Sequence, residues 1–232
     1  TSSKDPYALR RSALGVVKLL IDNNKDFKIK DLISYSTSLH RDQGFELTNE
    51  SHQKELAEFL MDRLKYYMKE KQIRGDIIEA SVSSHNLDNM NKIYNKASTL
   101  NSVISKEIGE DVVKNYKRAS SILSGELKDK DIELSNTTDP GIFKNDYEKN
   151  LFKKINELRK YFSSINKDEN YKETLIVLAS AKKVISDFFD NVKVNDEDKN
   201  IKKNRLELLQ MLCRTFDNYI NFSNIEIKQW IS

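Results

Sequence analysis

Asp5-Pro6-Tyr7-Ala8-Leu9-Arg10-Arg11-Ser12-Ala13-Leu14-Gly15-Val16-Val17-Lys18-Leu19-Leu20-Ile21 is the stretch on which the fold turns. Asp5 is a good N-cap and Pro6 sits where a missing N–H is harmless, so a helix is predicted from Asp5 to about Ile21. At about 100° per residue, Leu9, Ala13, Leu14, Val16, Val17, Leu20 and Ile21 cover well over half the circumference. A helix that apolar is expected to be buried on several sides, with other helices packed around it. Arg10 falls inside the apolar arc, while Tyr7, Arg11 and Lys18 line one flank beside Leu14. The predicted element is a structural spine with a basic edge offered to a ligand.

Outward from this spine the helical period continues. A second helix is expected near Asp31–Leu39, then a polar loop from His40 to Glu50. A long helix follows from about Ser51 to Lys71, with the stripe Leu56, Leu60, Leu64 and Tyr67 bordered by Phe59 and Tyr66. Arg74-Gly75-Asp76 punctuates the chain before a short helix, Ile77–Ser83. Another starts at Asn86 or Asp88 and reaches about Ser105. The next, about Glu110–Leu123, places Val112, Tyr116, Ala119 and Leu123 on one face and Lys114, Lys117, Arg118 and Ser121 on the other. Residues 125–139 are charged, Ser/Thr-rich and weakly periodic, the best internal boundary.

Asp139-Pro140 then repeats the start signal of Asp5-Pro6. Helices are predicted over Asn145–Ser164, with a capping box from Asn145 and Glu148, and over Asp168–Asp190. Their stripes are Tyr147, Leu151, Ile155, Leu158, Phe162 and Tyr171, Leu175, Leu178, Ile185, Phe188. A last helix spans Asp196–Asn221, and the chain ends near Trp230. No period-2 segment competes, so the expected class is all-α, a multi-helix bundle. Residues 1–232 are taken as one helical domain, with a sub-division near 125–139 allowed.

The composition agrees. The 232 residues are 38% hydrophobic and 32% charged, with 6 glycines and 2 prolines, too few for the turns of a sandwich or barrel. A net charge of +3 permits local nucleic-acid contact without demanding it. The single cysteine, Cys213, excludes an internal disulfide and points to a reducing, cytoplasmic compartment. No apolar run approaches the roughly 20 residues that span a bilayer, so no membrane is expected. The start at Thr1 with a helix cap close behind suggests a piece of a longer protein.

Catalytic chemistry does not stand out. His40, His52 and His85 are scattered, and Cys213 lies in an apolar helix face as a core thiol. Glu110-Asp111 and Glu197-Asp198 sit at helix starts, where they complement the dipole. Without a phosphate loop, nucleophile or metal spacing, the chain alone is not expected to be an enzyme. Three basic clusters remain: Arg10, Arg11 and Lys18; Arg63, Lys65, Lys69 and Arg74; Lys114, Lys117 and Arg118. Arg63 is the least ordinary, since it borders an apolar stripe beside Phe59 and Tyr66. It either pairs with a buried carboxylate or offers its guanidinium to a phosphate or base.

Several of these segments resemble one family in register. Asp5–Val17 (DPYALRRSALGVV), Phe59–Tyr67 (FLMDRLKYY), Asp76–Ala80 (DIIEA), Asn115–Leu123 (NYKRASSIL), Phe188–Asn195 (FFDNVKVN), Asn204–Leu209 (NRLELL) and Asn221-Phe222-Ser223 are similar to the C-terminal anticodon-binding domain of the bacterial glycyl-tRNA synthetase β subunit. It is a DALR-type helical domain. Lys193 departs from the pattern, which often has an apolar residue there.

The resemblance implies a tRNA-binding module for the anticodon stem-loop of glycine tRNA, inside a ligase that uses ATP and Mg²⁺ elsewhere, with no cofactor in this segment. The implied partners are that tRNA, the rest of the β subunit and the α subunit, which carries the aminoacylation site. On that expectation Arg10, Arg11, Arg63, Lys117 and Arg118 contact phosphates and base edges, with Arg74 and Lys114 from the same clusters. Tyr66 or Tyr67 offers a stacking surface, because RNA specificity targets splayed loop bases. Phe188, Phe189 and residues 206–212 are assigned to packing. The alternative is a helical docking module between synthetase subunits.

Overall fold

Asp5 caps the first helix from outside rather than opening it. Its backbone oxygen accepts from the Ala8 N–H at 3.0 Å and its carboxylate from the Arg10 N–H at 3.2 Å. Ala8 takes a left-handed conformation (φ 56°), so the chain turns tightly and α1 spans Leu9–Asp22. The computed structural model describes residues 5, 7–45, 51–83, 89–128, 133–135, 137–165 and 170–226. Pro6, the second half of the loop expected at 40–50, His85, the helix starts expected at Asn86 or Asp88 and at Asp168, and Trp230 lie outside them.

Burial of α1 on several sides does not occur. Ala13, Val17, Leu20 and Ile21 are buried, while Leu9, Val16 and Leu19 are exposed at 58%, 41% and 65%. The reason is that α1 packs chiefly on one neighbour, α3 (His52–Glu70).

The chain divides into two compact units between Ser98 and Thr99, inside α5 (Met90–Val103). In the first unit α1, α2 (Ile29–Asp42) and α4 (Gly75–Val82) all pack on α3, whose Leu60, Leu64, Tyr67 and Met68 are buried. The Asn91 amide on α5 ties the α1–α2 link, donating to Asn24 at 2.7 Å and Asp26 at 3.1 Å. On α2, Ile29, Ile33 and Thr37 face inward. Tyr35 and Leu39, one and two turns along the other side, stay exposed.

The second unit is built from α6 (Glu107–Glu126), α7 (Asp146–Ser164), α8 (Tyr171–Ala179), α9 (Lys182–Asn191) and α10 (Lys199–Phe216). Helix α6 packs on α8, α9 and α10, and α7 on α9 and α10. Gly109 lets the start of α6 close on the end of α5, since a Cβ there would stand 2.2 Å from the Val103 oxygen. The expected capping box forms: Asn145 accepts from the Glu148 N–H, and Glu148 accepts from the Asn145 N–H. Asp139-Pro140 opens only a 3₁₀ turn, Pro140–Ile142, ahead of α7.

The helix expected over 168–190 is two helices. They break at Ser180-Ala181, where the Ser180 hydroxyl donates to the Val177 oxygen at 2.6 Å, a local bond that competes with the helical ladder. Of the stretch 125–139 expected to be irregular, Gly125 and Glu126 still belong to α6, while residues 133–135 and 137–139 are irregular and pinned to α10. Glu207 accepts from both the backbone and the hydroxyl of Ser135, and Asn204 exchanges two hydrogen bonds with the Asp139 backbone.

Alongside the buried Leu206, Leu208, Leu209, Leu212 and Phe216, α10 also buries Arg205. Its guanidinium meets Glu148 at 2.6 Å, Asp196 at 2.7 Å and the Lys193 oxygen at 2.9 Å. Glu148, which also receives the Lys144 and Asn145 N–H groups, is therefore saturated, as an interior carboxylate must be. Among the described residues there is no strand, and no helix is long and apolar enough to cross a membrane. The all-α bundle stands.

Candidate nucleic-acid interface

Phe59, Arg63 and Tyr66 follow one another at i, i+4 and i+7 along a flank of α3, beside the buried stripe rather than within it. The Arg63 guanidinium lies 5.7 Å from the Phe59 ring centre and 6.0 Å from that of Tyr66. Its Nε is buried and has no hydrogen-bond partner among the described residues. Of the two alternatives left open for Arg63, the buried carboxylate is absent from the described residues. A buried N–H without an acceptor costs about 1–3 kcal/mol.

Tyr66 exposes 47% of its surface beside that guanidinium. Glu70, one turn on, holds its hydroxyl above the usual phenol value, by hydrogen bonding first and by charge second. Tyr67 is placed differently. It is 3% exposed, its hydroxyl donates to Asp22 at 3.1 Å, and its ring packs 5.5 Å from that of Tyr94. Burial, followed by the Asp22 hydrogen bond, pushes its hydroxyl up to about 12. Of the pair, Tyr66 is the one with a ring presented to solvent.

The remaining cations of the first unit fall into two kinds. Arg10 and Arg11 are both exposed on the first turn of α1. Arg11 makes only a loose 3.6 Å pair with Asp5 while 78% exposed, an interaction of about 0–1 kcal/mol that a ligand can displace. Arg74 instead grips Asp76 with two bonds, at 3.1 and 2.6 Å, and Asp76 also accepts the Ile77 N–H at the start of α4. Its work is to fasten that helix.

In the second unit, the α6 cations are engaged by their own chain. Lys114 pairs with Glu110 at 2.8 Å, and Lys117 donates to the Ser223 oxygen at 2.8 Å. Arg118 pairs with Asp190 at 3.2 Å and lies 4.5 Å over the Phe189 ring. Such exposed pairs are exchangeable, and these three side chains share the outward face of one helix. Phe188 and residues 206, 208, 209 and 212 are core, as expected. Cys213 is buried too, and burial pushes its thiol up to about 12, the behaviour of a packing residue.

Sequence reasoning passed over one group. Helices α7 and α10 run parallel, Glu148 meeting Arg205 near one end, and at the other a cavity of about 550 Å³ opens between them. Arg159, Phe162, Gln210, Met211 and Arg214 line it. Phe162, expected in the α7 stripe, is half-buried on this wall. No spacing rule links Arg159 to Arg214. Only the position of Arg159 one step past the buried Leu158 marked it as a border cation.

Residues 112–229 match the family model of the DALR anticodon binding domain, and residues 1–83 match that of the glycyl-tRNA synthetase beta subunit. Among curated proteins, the chain is 33% identical over 223 residues to the glycine–tRNA ligase beta subunit of Rickettsia prowazekii (strain Madrid E), covering 96% of this chain and 31% of that protein. It is 32% identical over 225 residues to the beta subunit of Rickettsia africae (strain ESF-5), covering 97% and 32%. The chain thus spans about a third of the length of these relatives.

Proposed function

The chain belongs to the DALR anticodon-binding domain family, and from that premise we propose that it is the tRNA-binding module of a glycine–tRNA ligase beta subunit, recognising the anticodon stem-loop of glycine tRNA. The observation that carries this reading is the order of the two family matches, a beta-subunit segment followed by an anticodon-binding domain in one chain. We take residues 1–232 as one functional module to which both units contribute. Arg63 and Tyr66 are the first contacts of the α3 flank: the guanidinium meets a phosphate or base edge and the exposed ring takes a splayed base. Arg10 and Arg11 add phosphate contacts. Lys114, Lys117 and Arg118 do the same by exchanging their present partners, while Arg74 and Tyr67 hold the scaffold. In this proposal the segment binds RNA and does not aminoacylate it. ATP and Mg²⁺ act elsewhere in the parent enzyme, whose α subunit carries the reaction in the cytoplasm.

The experiment is a titration of the chain with glycine-tRNA anticodon stem-loops bearing the natural or a substituted anticodon. At physiological salt the natural loop should bind more tightly, and binding should weaken steeply as salt rises, because phosphate contacts release counterions. Equal binding of both loops sinks anticodon recognition by this module. Arg63→Gln should weaken the natural loop by about tenfold, the worth of one charged hydrogen-bonding contact.

A docking role between synthetase subunits is favoured by one observation: Tyr35 and Leu39 expose 68% and 43% of their surface on the outer side of α2. Association with a separately produced α subunit that persists at high salt, with no affinity for the stem-loop, selects that role instead.

A further inference from the structure

We propose that the cavity between the C-terminal halves of α7 and α10 is a pocket for one unpaired nucleotide of RNA, its base against Phe162 and Met211 and its phosphate at Arg159 and Arg214. The inference rests on the RNA-binding reading above and adds to it a place in the second unit that none of the expected residues occupies. At about 550 Å³ the cavity lies within the range of small-ligand sites, and a lone phosphate would leave most of it empty.

Its lining is of mixed character. Phe162 and Met211 give an apolar wall, each half-buried, while the two arginines stand exposed at the rim. Neither the Arg159 guanidinium nor the Gln210 amide has a hydrogen-bond or ion-pair partner among the described residues. That distinguishes Arg159 from Lys114, Lys117 and Arg118, which already hold partners.

The wall is also stiffened. The Asn218 amide donates to the Arg214 and Thr215 oxygens at 3.2 Å each, and the Thr215 hydroxyl to the Met211 oxygen at 2.7 Å, closing the end of α10. A purely apolar ligand would desolvate two guanidinium groups without compensation, and the lining holds no carboxylate for a metal. A nucleotide uses every part: a π-face to stack, an edge for the donor and acceptor of Gln210, and a phosphate for the arginines.

The chain's four methionines, Met61, Met68, Met90 and Met211, make the test direct, because only Met211 lines the cavity. With methyl-¹³C-methionine in the 232-residue chain, millimolar nucleoside 5′-monophosphates should shift the Met211 resonance and leave the other three in place. Phe162→Leu should weaken anticodon stem-loop binding by about 5- to 100-fold, the range for loss of one stacked base. Arg159→Gln should weaken it less and lower the salt dependence by about one phosphate contact.

If Met211 does not respond to mononucleotides while both variants bind the stem-loop as the parent chain does, the pocket is overturned and the RNA-binding reading survives. If the parent chain fails to bind the stem-loop but Met211 responds to mononucleotides, the pocket stands and the anticodon reading falls. The mononucleotide titration needs no variant, so it decides even if a substitution impairs folding.

Discussion

In the second unit, α10 buries Arg205 and Glu207 in the same turns as Leu206, Leu208 and Leu209, and each charge is met by a partner brought from elsewhere, Glu148 of α7 for Arg205 and Ser135 for Glu207. In the first unit, α1 and α2 leave Leu9, Leu19, Tyr35 and Leu39 in water. Of the fourteen large apolar side chains exposed among the described residues, ten lie between Tyr7 and Tyr66. Scattered single exposures need no explanation, but a helix that is apolar on two sides and covered on one does. The second unit closes its own interior, even its charges. The first carries more apolar surface than its own helices cover.

Breaking the buried pair is the strongest challenge to this contrast. Glu148→Ala takes from the Arg205 guanidinium the more deeply buried of its two carboxylates, leaving Asp196 and the Lys193 oxygen, and leaves the Lys144 and Asn145 N–H groups without their acceptor. It should remove about 3 kcal/mol from the second unit. Urea unfolding combined with hydrogen exchange should show protection lost in α7 and α10 and kept in α1, α3 and α4. Equal losses in both units would mean that they fold as one cooperative body.

Gly109→Ala should cost about 1–3 kcal/mol, because the added methyl meets backbone atoms rather than a side chain that could move. A smaller loss by the same measurement would show that the α5–α6 corner yields.

Tyr67→Phe tests the first unit. It should lose about 1 kcal/mol with the Asp22 hydrogen bond. It should also alter the alkaline limb. Raised from near 10 to about 12, the Tyr67 hydroxyl favours the fold fully below pH about 10 and loses that contribution as pH climbs through about 12. Urea midpoints between pH 9 and 12 should therefore fall less steeply in the variant.

The smallest stability effect is expected for Tyr35→Ser with Leu39→Ser, within about 0.5 kcal/mol. Urea unfolding of the double variant beside the parent chain checks this. A loss comparable to that of a core substitution would place these side chains inside after all.

The class and most helices were legible because their signals are local: the Asn145–Glu148 box, the Leu60, Leu64, Tyr67 stripe, and the core positions Phe188, Leu206, Leu208, Leu209 and Leu212. What escaped depends on neighbours. The α1 pattern promised burial on several sides, but pattern says how apolar a helix is, not how many helices reach it. The break at Ser180-Ala181 hides in an unbroken apolar period because no glycine or proline marks it. At the candidate site, Arg63 stood out as a charge bordering a stripe, and its missing acceptor sharpened that signal. Tyr66 and Tyr67 are adjacent, and only packing decides that one faces water and the other Asp22. Arg159 and Arg214 meet because two helices run parallel, a relation that no linear spacing encodes.

Cys213 turns this division into something that can be timed. It is the chain's only thiol, it is buried in the second unit, and with its proton held up to about 12 it carries almost no thiolate at neutral pH. A maleimide or disulfide reagent can therefore reach it only during an opening of α10. The labelling rate then serves as a built-in clock for that helix, one that a stem-loop seated between α7 and α10 would slow and a ligand confined to α3 would leave running.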